Sequence, residues 1–194
     1  NLPVYIDNDA NCAALAESVA GAAKGYENSI TITLGTGIGG GIVIGGKVYP
    51  GFNGAAAEVG HIVIDYQGKM CTCGRRGCWE AYGSATALIE QTQEAARQNP
   101  DSIINKLVDN DLSKVTAKTA FDAAKQGDKT GKEVVEKYIK YVAEGLIDLI
   151  NIFTPEAIVI GGGVSKEGEY LLKPLREHIA EGVYAKDVPQ TEIK

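Results

Sequence analysis

Cys71-Thr72-Cys73-Gly74-Arg75-Arg76-Gly77-Cys78 gathers three thiols in one short segment, with His61 upstream. Three thiolates and one imidazole make a complete tetrahedral ligand set for zinc. The glycines at 74 and 77 let a loop fold round a small ion without Cβ clashes. With all four positions filled by protein, such a zinc is structural rather than catalytic. The rival is a disulfide plus a spare thiol, but Cys71 and Cys73 are too close for an easy bridge. No secretory signal points to an oxidising compartment either. Cys12 falls in an Ala-rich helical stretch and is expected to be a buried, small apolar residue. Arg75 and Arg76 read as solvated.

The carboxylates come next. Asp9 lies in Asn8-Asp9-Ala10-Asn11, between a strand-like run and a helix. There it serves either as a helix N-cap or as a general base facing a substrate hydroxyl. Glu58 precedes His61 in Glu58-Val59-Gly60-His61, and Glu80 follows Cys78. A metal that fixes His61 and Cys78 would hold both carboxylates from two sides, as suits groups that hydrogen-bond sugar hydroxyls. His61 has a second ring nitrogen for the same use.

Two glycine runs follow strand-like segments: Leu34-Gly35-Thr36-Gly37-Ile38-Gly39-Gly40-Gly41 and Ile160-Gly161-Gly162-Gly163-Val164-Ser165. In the first, backbone N–H groups and the Thr36 hydroxyl can converge on an anion; a tight hairpin needing positive φ explains the glycines equally well. No Lys-Ser/Thr follows, so this is not a Walker A loop. In the second, close approach to a nucleotide base competes with a tight strand-to-helix turn. Together, in a chain of net charge −6, they point to a nucleotide pocket built from backbone rather than from Lys and Arg.

The elements that must position these groups are legible in outline. Val4-Tyr5-Ile6, Ser29–Leu34, Ile62-Val63-Ile64 and Ala157–Ile160 read as strands, and Gly41–Val48 as a hairpin turning on Gly45-Gly46. Helices are expected to about Ala20, over Ser84–Gln98, Thr116–Gln126 and Lys132–Phe153, and around Tyr170–Glu181, with a linking piece at Ile103, Ile104 and Leu107. Val135, Ile139, Val142, Leu146 and Ile150 recur at helical spacing in the longest of these, a core face or a homodimer interface. The plan is mixed α/β, the last strand joining the first sheet. The balance of 19 Lys and Arg against 25 Asp and Glu argues against a broad grip on nucleic acid or an anionic membrane. No run of about 20 apolar residues is present. The chain opens without Met on a strand-like segment and closes on strand-like Gln190–Lys194, so it is expected to be a piece of a longer protein.

Taken together, Asn8-Asp9-Ala10-Asn11, the loop at 34–41, Glu58-Val59-Gly60-His61, Cys71-x-Cys73-Gly74-x-x-Gly77-Cys78-x-Glu80 and Gly161-Gly162-Gly163-Val164-Ser165 resemble the ROK family of sugar kinases and related repressors, and its glucokinases most. The resemblance implies an actin-like, ribonuclease-H-like α/β fold with a zinc loop at 66–80, and transfer of a phosphoryl group from ATP, with Mg²⁺, to glucose or a related hexose. It implies Asp9 as the base at the 6-hydroxyl. Asn8, Gly54, Glu58, His61 and Glu80 would hold the sugar, Gly35, Thr36 and Gly37 the phosphates, and Gly162 and Gly163 the adenosine. His61, Cys71, Cys73 and Cys78 would hold structural Zn²⁺. The family's N-terminal phosphate loop and C-terminal Ala-Gly-rich helix find no match, so residues 1–194 are expected to be the larger domain, of little activity alone. Ala57 stands where the family has Gly, a methyl group beside the sugar site that could shift hexose preference. A sugar-sensing repressor with an upstream helix-turn-helix, a kinase for fructose, mannose or N-acetylmannosamine, and a small zinc-binding interaction module are the alternatives. Reduced cysteines, ATP use and the lack of a signal point to the cytoplasm.

Overall fold

A computed structural model describes residues 8–194, so the strand-like Val4-Tyr5-Ile6 lies outside the described residues. The alternation of Ser29–Leu34 becomes β1 (Ser29–Leu34), with Ile30, Ile32 and Leu34 buried in the main core. β2 (Ile38–Ile44) returns antiparallel beside it, Leu34 opposite Ile38. β2 turns on Gly45 and Gly46, at φ +57° and +72°, into β3 (Lys47–Val48). Glycine alone takes two successive left-handed positions at no steric cost. β4 (Ala157–Gly161) lies parallel on the other side of β1, Thr33 opposite Gly161, and β5 (Glu192–Ile193) extends the sheet beyond β4. The order is β3-β2-β1-β4-β5, a mixed sheet that joins the last strands to the first, as expected.

α1 (Asp9–Ala20) lies tightly on β2, since a Cβ on Gly41 would come within 2.4 Å of Ala14 Cβ. After the site region come α2 (Glu80–Gly83), α3 (Ala85–Gln98), α4 (Ile103–Leu107), α5 (Thr119–Lys125), α6 (Lys129–Phe153) and, beyond β4, α7 (Glu169–Gly182). α6 buries Tyr138, Ile139, Val142, Leu146 and Leu149 in one cluster with Ile30, Ile32, Ile158 and Ile160, and α7 adds Leu171, Leu175 and Ile179. The apolar stripe of α6 is therefore a core face. Among the described residues no helix is long and apolar enough to cross a membrane.

Three expectations need correction. Ile62–Ile64 is not a strand of the sheet: the chain makes a 3₁₀ turn at Val59–His61 and then pairs only locally, Val63 with Cys78. Cys12 is exposed, not buried, because α1 turns Ala10, Asn11 and Ala14 inward and leaves Cys12, Leu15 and Val19 outside. The linking piece at 103–107 is a helical turn, capped by Ser102.

Asp128 staples this helical layer. Its carboxylate accepts from the Ser102 hydroxyl (2.7 Å), Ile103 N–H (3.0 Å) and Gly131 N–H (2.8 Å), the last as N-cap of α6. Burial pushes its pKa up, but these donors outweigh it and hold the group below the ordinary carboxylate range. Its stabilisation is thus complete above the unfolded-state value of about 4 and is lost as pH falls through the lower folded value. Asp128→Ala is expected to remove about 3 kcal/mol at pH 7, and less at pH 3, as urea titrations at the two pH values would measure.

Candidate active site and metal centre

The site begins where α1 begins. Asn8 is the N-cap, its Oδ1 accepting from Ala10 N–H (2.8 Å) and Asn11 N–H (3.3 Å). Asp9 is therefore the first helical residue rather than the cap, and its carboxylate is exposed, accepting locally from Ala10 N–H (2.8 Å). Both residues line a cleft of about 380 Å³ with Gly35, Thr36, Gly37, Glu58 and Glu80. Glu58 reaches it from the turn before His61 and is exposed. Glu80 reaches it from the first turn of α2, its Oε2 accepting from Ile38 N–H at 3.0 Å. Three carboxylates around an open space that also contains backbone donors can orient a polyhydroxylated ligand and take up a proton from it.

The loop between β1 and β2 is tied down by its carbonyls. Gly35 C=O accepts from Ala85 N–H (2.8 Å) and Thr36 C=O from the Thr86 hydroxyl (2.8 Å), both at the start of α3. The N–H groups of Thr36 and Gly37 have no acceptor among the described residues. A loop held by its acceptors with its donors unused can cradle an anion. The glycines here have different reasons. At Gly37 a Cβ would lie 2.1 Å from Glu80 Oε2, so the Glu80 carboxylate would have to swing away to admit it; Gly162 takes φ +87° against the Leu34 backbone. A Cβ added at Gly35 or Gly163 would meet nothing within 4 Å among the described residues, and neither glycine has a left-handed φ. Nothing among the described residues crowds a side chain at those two positions, which both follow neighbouring parallel strands.

The His and Cys side chains come together in a cluster that could hold a metal ion. One donor atom from each of His61, Cys71, Cys73 and Cys78 lies within 4.8 Å of the others. Cys73 Sγ is 3.6 Å from Cys78 Sγ, and His61 Nδ1 is 3.6 Å from Cys71 Sγ. A tetrahedral zinc with Zn–S bonds of about 2.3 Å needs S···S edges of about 3.8 Å, so the set fits. Cys71 and Cys78 are buried while Cys73 is exposed. Burial, with thiol neighbours, pushes the Cys78 thiol up to about 12, while the Cys73 thiol is drawn down chiefly by a backbone hydrogen bond at Arg75. Arg75 and Arg76 are exposed and donate to the carbonyls of His61 and Gly68. The far end of the loop is fastened by Tyr82, whose hydroxyl accepts from Lys69 N–H (2.7 Å) and donates to Asp65 (3.3 Å).

Asn8, Asp9, Glu58, Glu80, Gly35, Thr36 and Gly37 thus meet at one cleft. His61 lies with the thiols, and Gly54, Gly162 and Gly163 do not line this cleft. Ala57 does, at φ +66°, so the residue expected to be Gly occupies a left-handed position that costs an alanine about 1 kcal/mol. Tyr82 and the α3 anchors at Ala85 and Thr86 were not singled out by sequence. Their only local signal is Ser84, a helix-capping type whose hydroxyl accepts from Ala87 N–H.

Known proteins are similar to this chain. A glucokinase of Thermotoga maritima is 40% identical over 190 residues, 98% of this chain and 60% of that protein. A xylose repressor of Bacillus subtilis is 34% identical over 187 residues, 95% of this chain and 44% of that protein. The crystal structure of a ROK family glucokinase from Streptomyces griseus in complex with glucose and AMPPNP superposes with a TM-score of 0.91 at 38% identity, covering 99% of this chain and 63% of that one. The chain therefore spans about three fifths or less of the length of these relatives. Its mixed sheet and flanking helices are consistent with an actin-like ATPase fold. The ROK family model matches residues 1–193, and with relatives of this identity across nearly the whole chain, the chain belongs to the ROK family.

Proposed function

We propose that the intact protein transfers the γ-phosphoryl group of ATP to the 6-hydroxyl of glucose. The observation that carries the reading is the division of roles at the start of α1: Asn8 caps the helix, which leaves the Asp9 carboxylate exposed in the cleft that holds Glu58, Glu80 and the unused N–H groups of the glycine loop. Asp9 takes the hydroxyl proton as the sugar oxygen attacks the γ-phosphorus; the new O–P bond forms, and the bond to the β,γ-bridging oxygen breaks with its electron pair leaving on ADP. Mg²⁺ bound with the nucleotide offsets the charge on the phosphate oxygens. Asn8, Gly54, Glu58, His61 and Glu80 hold the hexose, Gly35, Thr36 and Gly37 face the phosphates, and Gly162 and Gly163 the adenosine. His61, Cys71, Cys73 and Cys78 would hold a structural zinc, and these four residues, so tied, would fix the turn carrying Glu58 and the residue before Trp79-Glu80. In this reading residues 1–194 are the larger domain, the rest of the phosphate clamp lies elsewhere in the intact protein, and the protein works in the cytoplasm, where ATP is supplied and thiols stay reduced.

The likeness to xylose repressors favours one second reading, a sugar-responsive regulator, which has no use for a base at Asp9. Intact protein supplied with ATP, Mg²⁺ and glucose is expected to release ADP and form glucose 6-phosphate; fructose, mannose and N-acetylmannosamine in the same assay rank the hexoses. Sugar-dependent release of operator DNA without ADP formation would replace the kinase reading by the regulator.

The unexplained glycines supply a sharper check. Gly35→Ala and Gly163→Ala are expected to leave the melting temperature unchanged and to weaken ATP binding about tenfold or more, because each methyl projects into the space assigned to nucleotide. Gly162→Ala, by contrast, is expected to lose about 2 kcal/mol of stability from its positive φ and the crowding against Leu34. Equal ATP affinity in all three variants would remove the nucleotide from this edge of the sheet.

A further inference from the structure

Cys78, a metal donor, and Glu80, a cleft carboxylate, flank the chain's single tryptophan. Trp79 is fully buried and points into the core, away from the cleft. Its indole N–H donates to Tyr141 C=O of α6 at 2.8 Å, and its backbone N–H to Ile62 C=O, next to His61, at 2.8 Å. The fused bond of the indole rests on Gly145 of α6, where an added Cβ would lie 2.1 Å from Cε2 and 2.2 Å from Cδ2. The neighbouring turns join the same stretch of α6: Tyr82 packs its ring on that of Tyr141, centroids 4.7 Å apart, and the Tyr138 hydroxyl donates to Gly83 C=O at 2.9 Å. A glycine inside a long helix costs about 1 kcal/mol relative to alanine, and here it leaves room for the indole.

We propose that Gly145, acting through Trp79, is the positioning residue for Cys78 and Glu80: α6 is the platform that sets the metal donor and the cleft carboxylate in one register. The Glu80 half rests on the sugar-kinase reading above; the Cys78 half does not. A side chain at 145 forces the ring to tilt, and the backbone at 78–80 must follow because the indole is its anchor. Glu80 is then drawn from Ile38 N–H and Cys78 from its partner donors. Displacements of about 1 Å at such groups are strongly felt in binding and turnover.

The test is a double-mutant cycle on the intact, zinc-loaded protein. Gly145→Ala is expected to speed zinc release to a chromophoric chelator about tenfold, to raise the glucose KM about tenfold with kcat within about threefold, and to shift Trp79 emission to the red. In a Trp79→Phe background the smaller ring leaves room, so the same methyl has a much smaller effect on both quantities. An equal effect in both backgrounds, or a folded Gly145→Ala protein with parental zinc release and KM, overturns the proposal. Should Gly145→Ala not fold, recovery of folding and zinc retention in the double variant supports the platform, and failure to recover overturns it. A parent protein that does not phosphorylate glucose overturns the kinase reading instead, and the zinc-release rates still decide the placement of Cys78.

Discussion

Asp9→Asn in the intact protein is expected to lower kcat for hexose phosphorylation about 10³-fold while the hexose dissociation constant moves only a few-fold. Asparagine has the shape of aspartate and hydrogen-bonds a hydroxyl, but it cannot take the proton, and general-base assistance is worth about 10²–10⁴ in rate. The fold should tolerate the change because the cap belongs to Asn8, which bonds Ala10 and Asn11 N–H groups. What is lost at position 9 is one negative charge in the first turn of α1, a favourable helix-dipole contact of a few tenths of a kcal/mol. Asn8→Ala is the complementary control: it removes the cap, about 1 kcal/mol, and should lower the melting temperature where Asp9→Asn does not. Steady-state kinetics with glucose titration calorimetry separate the two. Turnover within tenfold of the parent would remove Asp9 as the base.

The local features were the legible ones. Strand β1 follows from the Thr/Ile alternation at 29–34, α6 from its apolar spacing, and the Cys/His cluster from three thiols in one short segment plus His61. Each is fixed by residues near one another in sequence or by a period that one element imposes on itself. Where the sequence misled, a distant partner decided the outcome. Ile62–Ile64 has the residues of a strand, but Cys78 draws it into the metal loop. Cys12 has the size of a core residue, but an Ala-rich helix has little apolar contrast to declare its inner face, and packing on Gly41 selects Ala10 and Ala14. The glycines were the least legible, because a run of identical residues hides different causes. Gly37 makes room for Glu80 and Gly162 adopts a left-handed turn, while Gly35 and Gly163 answer to neither demand. The bond from Ile38 N–H to Glu80 has no sequence signature, although it joins the glycine loop to the turn beside the metal set.

Removing the metal is expected to be the most damaging change available. Chelation, or Cys78→Ser, should release one zinc per chain, lower the melting temperature by about 10 °C or more, and weaken hexose binding about 100-fold or more. Apart from the four donors, the segment from Ile62 to Trp79 is held mainly by local hydrogen bonds, among them Ile64 N–H to Gly77 C=O, Gly77 N–H to Lys69 C=O and Cys71 N–H to Arg75 C=O, with the Tyr82 clasp on Lys69 and Asp65 and the Arg75 and Arg76 contacts to the His61 and Gly68 carbonyls. With zinc bound, several kcal/mol of coordination free energy would be folding free energy, and each kcal/mol is worth about 2–4 °C for a chain of this size. The affinity for zinc should fall with decreasing pH, since thiolates and neutral imidazole must give up protons to bind it. Loss of the metal frees Cys78, a buried thiol adjoining Trp79 and two residues from Glu80, so the emission of the single tryptophan should move to the red as hexose binding fails. Cys12→Ser supplies the control, because Cys12 is exposed on α1 and outside the donor set: it should change neither zinc content, emission nor affinity. A chain that melts, fluoresces and binds hexose alike with and without chelator would leave the four donors without a metal to hold.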